Sequence, residues 1–457
     1  MVRQSIPKTN RTRRPLESPS AAAVASPGGQ RRAVRARVSR QRLTDDEQGT
    51  TPTKMTATEE AEPTIRYSNQ HLVSELLRFE TFAELRRSPF YQAHRDEFKR
   101  LLDEPRVYRA TGATPRLNAF LRVVMWNIER GTRFDGILDV LSHHPVIRHA
   151  DLLLLNELDD GMVRSGNRNV ALELSRHLSA HATYGVEYLE LTKGAGDEQR
   201  LPGANTAALH GNAILTRHAF LEPQVVRLPR CENNFESAER RLGGRIGIIT
   251  DLEVGGARFT AATTHLDVVN TPRCRARQMR AMLEAVDARI ASRNLGRRVV
   301  IGGDLNTHTF ARGTRLRAMK NTALILGSRR RKLARRLARP LLREPAVGEF
   351  SRFGYDITSC NDVRPTARSV VSALDDSRSL PPPLRWWISR RIGPEGLTLE
   401  LRLDWLAARG LRALRAGERV DEATGVASID PQTFAGLTDR RQPLSDHDPI
   451  VVDLLID

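Results

Sequence analysis

Between Leu121 and Leu454 the chain carries short, unbroken apolar runs that each meet a polar side chain. Val123-Val124-Met125-Trp126 leads into Asn127, Leu152-Leu153-Leu154-Leu155 into Asn156 and Glu157, and Val299-Val300-Ile301-Gly302-Gly303 into Asp304 and Asn306. A last run, Ile450-Val451-Val452, is preceded by Ser445-Asp446-His447. Apolar runs without alternation read as strands buried on both faces, so the polar residue ending each one is expected at the rim of a core. Ala213–Leu215, Arg245–Leu252 and Arg258–Thr264 read as further strands, and Gly255-Gly256 predicts a hairpin turn between the last two.

Helical spacing appears at Phe134–His149, at Arg168–Ala180 through Val170, Leu174 and Leu178, and at Arg273–Ala291 through Met279, Met282, Leu283 and Val286. From His71 to Glu104 apolar residues again recur at near-helical spacing, and Ser88-Pro89 predicts two short helices that support the core. Residues 1–62 are rich in Arg, Ser, Thr, Pro and Ala without periodicity and read as a disordered basic tail. The expected organisation is therefore tail, helical extension over 63–118, and an α+β region over 119–457 in which helices cover sheets. No fixed-period repeat is present.

Collected at one rim, Asn127, Glu157, Asp304, Asn306 and Asp446 offer only hard oxygen donors, which suit Mg²⁺ or Mn²⁺ rather than zinc or copper. Taken singly, an asparagine at a strand end is ordinarily a turn residue, His265 reads equally as a core imidazole, and Asp404 as the partner of an arginine. Glu157 differs, because a carboxylate directly behind four leucines is costly to bury unless it is paired or binds metal.

The ordered set Trp126-Asn127-Ile128-Glu129, Asn156-Glu157-Leu158, Gly211-Asn212-Ala213-Ile214-Leu215-Thr216-Arg217, Thr264-His265-Leu266, Gly303-Asp304-Leu305-Asn306, Leu403-Asp404-Trp405 and Ser445-Asp446-His447 resembles the endonuclease/exonuclease/phosphatase superfamily, the deoxyribonuclease-I-like phosphodiesterases and phosphatases. The resemblance implies a four-layer αββα sandwich with the active site at one end of the paired sheets. It implies that Glu157 is the principal metal carboxylate, with Asn127 and Asp446 completing the site. Asp304 would orient or deprotonate the attacking water, Asn306 would hold a phosphate oxygen, and His447 would stabilise or protonate developing charge. Asp404 would fix the tautomer of His447, and His265 would be the second active-site histidine. Asn212 and Arg245 are assigned to substrate binding. The implied activity is Mg²⁺-dependent hydrolysis of a phosphoester, with nucleic acid as the leading substrate and a phospholipid or phosphoinositide head group as the alternative. A basic binding module without catalysis is the third reading, opposed by the intact acidic set.

Charge adds a partner class. The formal net charge is +18, and residues 311–345 hold 12 basic and 1 acidic side chains, whereas residues 1–62 hold 12 and 7. The excess therefore lies outside the residues that form the candidate site. Leu333, Leu337 and Leu341 would give a helix a narrow apolar stripe and a broad cationic face carrying Arg335 and Arg336, which reads as a substrate clamp for phosphates, as a membrane-surface element, or equally as a surface helix whose leucines pack on the core and whose arginines are solvated. Arginine outnumbers lysine 66 to 6 throughout, so basic charge implies anionic partners in general and nucleic acid only as one of them. The interval from Asp304 to Asp404 is long for the superfamily and holds this segment and Trp386-Trp387 as an insert over 311–400. Three widely spaced cysteines argue against a disulfide framework, and with no apolar run of membrane-spanning length a soluble, cytoplasmic protein is expected.

Overall fold

The computed structural model describes residues 68–231, 233–268, 271–308, 340, 344–371, 383, 386 and 397–455. The basic tail, the helix with Arg335 and Arg336, and Trp387 lie outside the described residues. Four short helices open the described chain: α1 (Gln70–Leu76), α2 (Phe82–Arg87), α3 (Pro89–Ala93) and α4 (Arg95–Asp103). Then follow β1 (Arg106–Tyr108), β2 (Leu121–Arg130), α5 (Phe134–His143), β3 (Leu152–Asp160), α6 (Val170–Leu178), β4 (His181–Glu190), β5 (Leu209–Thr216) and β6 (Ala219–Arg227). Next come β7 (Arg241–Gly243), β8 (Ile246–Val254), β9 (Ala257–His265), α7 (Pro272–Arg293), β10 (Val299–Asp304), a helix over Pro345–Arg352, β11 (Ala367–Val371) and β12 (Leu397–Leu401). The chain closes with β13 (Asp404–Arg409), β14 (Arg412–Ala413), β15 (Gln432–Thr433), β16 (Thr438–Asp439), β17 (Gln442–Pro443) and β18 (Ile450–Leu455).

Among the described residues these strands form a nine-stranded sheet, with β1-β4-β5-β3-β2-β18-β14 as its main path, and a five-stranded sheet ordered β13-β10-β9-β8-β6. The layering follows from strand alternation, since successive side chains point to opposite faces. Val123, Met125, Leu152 and Leu154 face the second sheet and pack with Ile248, Ala261, Val300 and Leu406. Their neighbours Val124, Trp126, Leu153 and Leu155 face outward onto Ile137 and Leu141 of α5 and Val170 and Leu174 of α6. In β10, Val300 is in the inter-sheet core while Val299 and Ile301 meet Met279, Met282, Leu283 and Val286 of α7. Three apolar layers thus separate helix, sheet, sheet and helix, the αββα sandwich that the sequence implies. A fully buried Val or Leu contributes about 1.5–3 kcal/mol over an exposed one, which explains why these strands are apolar on both faces.

Two glycines let the sheets close beside the site. A Cβ on Gly302 would lie 2.7 Å from Leu406 Cδ2 and 3.0 Å from Leu154 Cδ1, and one on Gly303 only 1.8 Å from the Thr264 carbonyl oxygen. The expected hairpin is present: Gly255 and Gly256 join β8 to β9 with φ of +58° and +79°, left-handed values that glycine adopts freely.

The N-terminal segment departs from the expected two helices. Ser88 does cap a new helix, accepting from the Tyr91 N–H with Pro89 behind it, but further breaks give four short helices. Leu72, Leu76, Leu85 and Phe98 join the outer core with Leu189 and Phe235. The cysteines depart as well. Cys231, after β6, and Cys274, in the first turn of α7, form a disulfide with Cα atoms 6.3 Å apart, and Cys360 is buried and free. Spacing could not anticipate this, because it is the packing of α7 beside the loop after β6 that brings the two together. Among the described residues no helix is long and apolar enough to cross a membrane.

Candidate active site

Strand register assembles half of the site. Asp304, the last residue of β10, is the partner of His265 on parallel β9 and of Asp404 on antiparallel β13. Three polar side chains separated widely in sequence are therefore abreast at one end of the second sheet. The first sheet contributes Asn127 and Glu157 through irregularities, not strand ends. β2 and β3 run on past the polar residues, and their registers slip between Asn127 and Arg130 and between Leu155 and Leu158. Glu129, Arg130 and Glu157 sit at φ of +46°, +66° and +56°. Non-glycine residues adopt such angles at a cost of about 1–3 kcal/mol each, and bulges of this kind re-aim side chains. The expectation that the apolar runs simply end at these positions is corrected here: the strands continue, and the bulges deliver the carboxylates.

The two sheets are tied together at this point. Asn156 Oδ1 accepts from the Asp304 N–H at 2.8 Å, while its amide donates to Asn212 Oδ1 at 3.0 Å. Asn127 Nδ2 donates to Glu157 Oε1 and to Asp304 Oδ2, each at 3.1 Å, and its Oδ1 accepts from the Glu129 N–H. Asp304 Oδ1 accepts from the Asn306 N–H, and Asn306 Nδ2 donates to the Leu266 carbonyl at 3.0 Å.

His447 reaches the site on the segment before β18. Ser445 Oγ donates to the Asn127 carbonyl and accepts from the His447 N–H, and Trp126 Nε1 donates to the His447 carbonyl. The imidazole Nδ1 is 2.7 Å from Asp404 Oδ2, and Nε2 is 3.7 Å from Asp304 Oδ2. Burial works against a charge on this ring, but Asp404 and Asp304 outweigh it and hold its pKa well above the ordinary histidine value. His447 is thus an imidazolium at neutral pH, its Nδ1 proton on Asp404 and its Nε2 proton facing the cleft. Asp304 moves oppositely to the usual carboxylate. Burial, opposed by His447 and reinforced by Asp404 and Glu157, raises it to about 7, the range in which a carboxylate serves as a general base.

His265 is the electrostatic counterpart. Burial and Arg245 push its pKa well below the ordinary value, so the ring is neutral. Its Nδ1 lies 2.8 Å from Arg245 Nη1 and must accept, which leaves the proton on Nε2. That atom is buried without a hydrogen-bond partner and is 3.4 Å from Asp304 Oδ2 and 4.0 Å from Glu157 Oε1. Two histidines therefore present Nε2–H donors to one opening, one ring charged and one neutral.

Glu157, Glu129 and Asp446 give that opening an acidic rim. Burial raises Glu129, and the charges of Asp446 and Glu157 raise it further; Asp446, with its side chain 55% exposed, is also raised, by burial and by Glu157. Burial would raise Glu157 as well, but the Arg130 guanidinium and the hydrogen bond from the Asn127 amide hold it well below the usual range. Carboxylates that raise one another's pKa around one cleft are a donor set that a hard divalent cation would relieve.

Every described candidate of the catalytic and metal sets is therefore at one cleft. Asn212 and Arg245 are at the same end but behind it. Asn212 is fully buried with its amide on Glu187 Oε1, and Arg245 is held by Glu187 Oε2 at 2.7 Å and by His265. Both shape the wall, Asn212 through its bond to Glu187 and Arg245 through Nη1, while Arg245 Nε is buried without a hydrogen-bond partner. Arg335 and Arg336 lie outside the described residues. Sequence reasoning gave no role to Asn156, Glu129, Glu187 or Ser445. Asn156 and Glu129 were visible within quoted motifs, but nothing in spacing marks Glu187, which enters from β4.

A profile of the Endonuclease/Exonuclease/phosphatase family matches residues 126–447. No curated protein matches the chain. Among solved structures it is similar to an endonuclease/exonuclease/phosphatase from Beutenbergia cavernae DSM 12333, with 17% identity over 74% of this chain and 72% of that one and a TM-score of 0.40. It is similar to the human Nocturnin catalytic domain with bound sulfate, at 16% identity over 78% and 97% and a TM-score of 0.40. It is also similar to D. rerio TDP2 complexed with single strand DNA product, at 16% identity over 74% and 100% and a TM-score of 0.37.

Proposed function

Because this chain belongs to the endonuclease/exonuclease/phosphatase family, whose members hydrolyse phosphoester bonds, we propose that it is a Mg²⁺- or Mn²⁺-dependent phosphodiesterase acting on nucleic acid. The observation that carries the reading is the Asp404–His447–Asp304 array, in which a protonated imidazole and a carboxylate raised to about 7 face the same opening. Phosphoryl transfer asks a protein chiefly to position an in-line nucleophile and to absorb negative charge.

The residues divide that work. Asp304 takes a proton from the attacking water. His447 stabilises charge on phosphorus-bound oxygen and passes its Nε2 proton to the leaving oxygen, held in that state by Asp404. His265 offers its Nε2–H to a non-bridging oxygen. Asn306 adds an amide proton from the β10 exit. Glu157 and Asp446 would hold the cation, with Asn127 Oδ1 as a further oxygen donor and Glu129 behind them. When bound, the divalent ion supplies Lewis-acid neutralisation of the phosphate. Asn212, Arg245 and Glu187 fix the wall that orients His265. The net basic charge favours a polyanionic substrate.

The test is hydrolysis of defined single- and double-stranded DNA, RNA and phosphoinositide vesicles by the full chain. Turnover of nucleic acid that stops with EDTA and returns with Mg²⁺ or Mn²⁺ supports the proposal. Cleavage of lipid alone would move the substrate class, and no turnover of any phosphoester would end the hydrolase reading.

A further inference from the structure

The N-terminal helices and the loop after β6 enclose a cleft of about 430 Å³ lined by Phe82, Arg86, Tyr91, Gln92, Arg95 and Arg230. We propose that this cleft is a second binding site, a subsite for single-stranded polynucleotide that grips backbone phosphate and a base away from the bond being cut. The proposal rests on the reading of the protein as a nucleic-acid phosphodiesterase.

Its lining selects the ligand chemistry. Three of six residues are arginines, and none of the six is acidic. The buried arginines Arg164, Arg245, Arg275 and Arg289 each pair with a buried carboxylate. Arg86, Arg95 and Arg230 form no ion pair among the described residues, and all three are exposed. The carboxylate of Glu236, which accepts from the Phe82 N–H at 3.1 Å, stands outside the lining. Two guanidiniums at the Phe82 ring, with Arg95 lining the same cleft and no ion-pair partner for any of the three among the described residues, make a place for an external anion, and the planar fork of arginine fits phosphate bidentately.

The aromatics narrow the class from any anion to a nucleotide chain. The Arg230 guanidinium lies 4.6 Å from the Phe82 ring centre and that of Arg86 6.0 Å. Tyr91 is half-buried and stacked on Phe98 at 5.6 Å. Phe82 and Arg86 are four residues apart on α2, so that ring presents itself beside a cation. A rigid aromatic next to an arginine that is itself held against a ring offers a stacking surface and a phosphate contact together, the pairing that single-strand binding requires.

Topology places this cleft at the catalytic end. β6 ends at Arg227 opposite Ile246 of β8, the next residue of β8 pairs with Thr264, and His265 follows beside Asp304. The loop carrying Arg230 therefore leaves the second sheet at the same end as His265, Asp304 and Asp404, two strand spacings or about 10 Å from His265, about 14 Å from Asp304 and about 19 Å from Asp404. Arg227 fixes the helical wall to that edge by donating to Asp103 Oδ1 at 2.8 Å and to the Val186 carbonyl at 2.8 Å. A bound strand of a few nucleotides can reach from one to the other.

The experiment measures fluorescence anisotropy of a labelled oligothymidylate of about 12 nucleotides, long enough to span such a path, with the full chain in EDTA so that nothing is cut. Arg86→Gln/Arg95→Gln/Arg230→Gln should weaken binding about tenfold or more and flatten the salt dependence by about two units, since each phosphate lost removes about 0.7 from the slope. Hydrolysis of bis(p-nitrophenyl) phosphate and the melting temperature should be unchanged. The matching triple lysine variant should regain part of the salt-dependent affinity. Wild-type affinity and slope in the glutamine variant overturn the proposal, as does loss of binding to phosphatidylserine vesicles with oligonucleotide binding intact. Failure of the underlying functional reading appears separately, as absence of wild-type turnover on bis(p-nitrophenyl) phosphate and on every nucleic acid.

Discussion

Asp304 and Asp404 are register partners on β10 and β13, and one imidazole, His447, faces both, 2.7 Å from Asp404 and 3.7 Å from Asp304. Asp404→Asn keeps the shape but removes the charge that does most to hold His447 protonated. Its pKa falls, so the alkaline limb of kcat/KM should move to lower pH and kcat should drop by about 10²–10⁴-fold. A pH–rate profile reads both, and an unmoved alkaline limb would show that His447 is not the acid.

Glu157 occupies a left-handed backbone position at φ +56°, where glycine is at ease and glutamate is not. Glu157→Gly should therefore melt no lower than the wild type while losing about 10²–10³-fold in turnover and losing the thermal shift produced by Mg²⁺. Scanning calorimetry with and without the ion checks this. A drop in melting temperature would mean that Glu157 is held for the fold rather than for chemistry.

Asn156 carries one of the hydrogen bonds between the sheets, and its acceptor cannot be replaced by a methyl group. Asn156→Ala leaves the buried Asp304 N–H and Asn212 Oδ1 short of a partner, a loss of about 2–3 kcal/mol. Urea unfolding measures it. Turnover should fall further than the stability change explains, because Asp304 loses its backbone anchor.

His218 gives a stability prediction away from the cleft. Burial and Arg217 lower its pKa to about 4, so the folded chain keeps the ring neutral while the unfolded chain protonates it near 6.5. Its contribution is complete above about pH 6.5 and is lost as pH falls toward about 4, roughly 2 kcal/mol between about pH 7 and about pH 5. His218→Gln should be less sensitive than the wild type over that interval by this amount in urea titrations. Identical slopes would place the proton elsewhere.

The apolar runs made the sandwich legible because each strand is buried on both faces, and the polar residues interrupting them marked the cleft. What the runs could not reveal is that Asn127 and Glu157 act from bulges. A polar residue behind four leucines looks the same in sequence whether the strand stops or slips by one residue. Arg245 and Asn212 read as substrate contacts for the same reason: their type was visible, but Glu187, which engages both, comes from a strand with no motif. The Cys231–Cys274 pair depended on a helix docking beside a distant loop, which no spacing rule encodes.

β18 lies inside the first sheet, hydrogen-bonded to β2 along Ile450–Leu454 and flanked on its other side by β14. During synthesis β2 emerges more than three hundred residues before the strand that covers its flank, so a nascent chain carries a bare, apolar edge of the kind that recruits other chains. A product ended by a premature stop before Ser445 would keep that sticky edge with nothing to cover it, making it a hazard for aggregation.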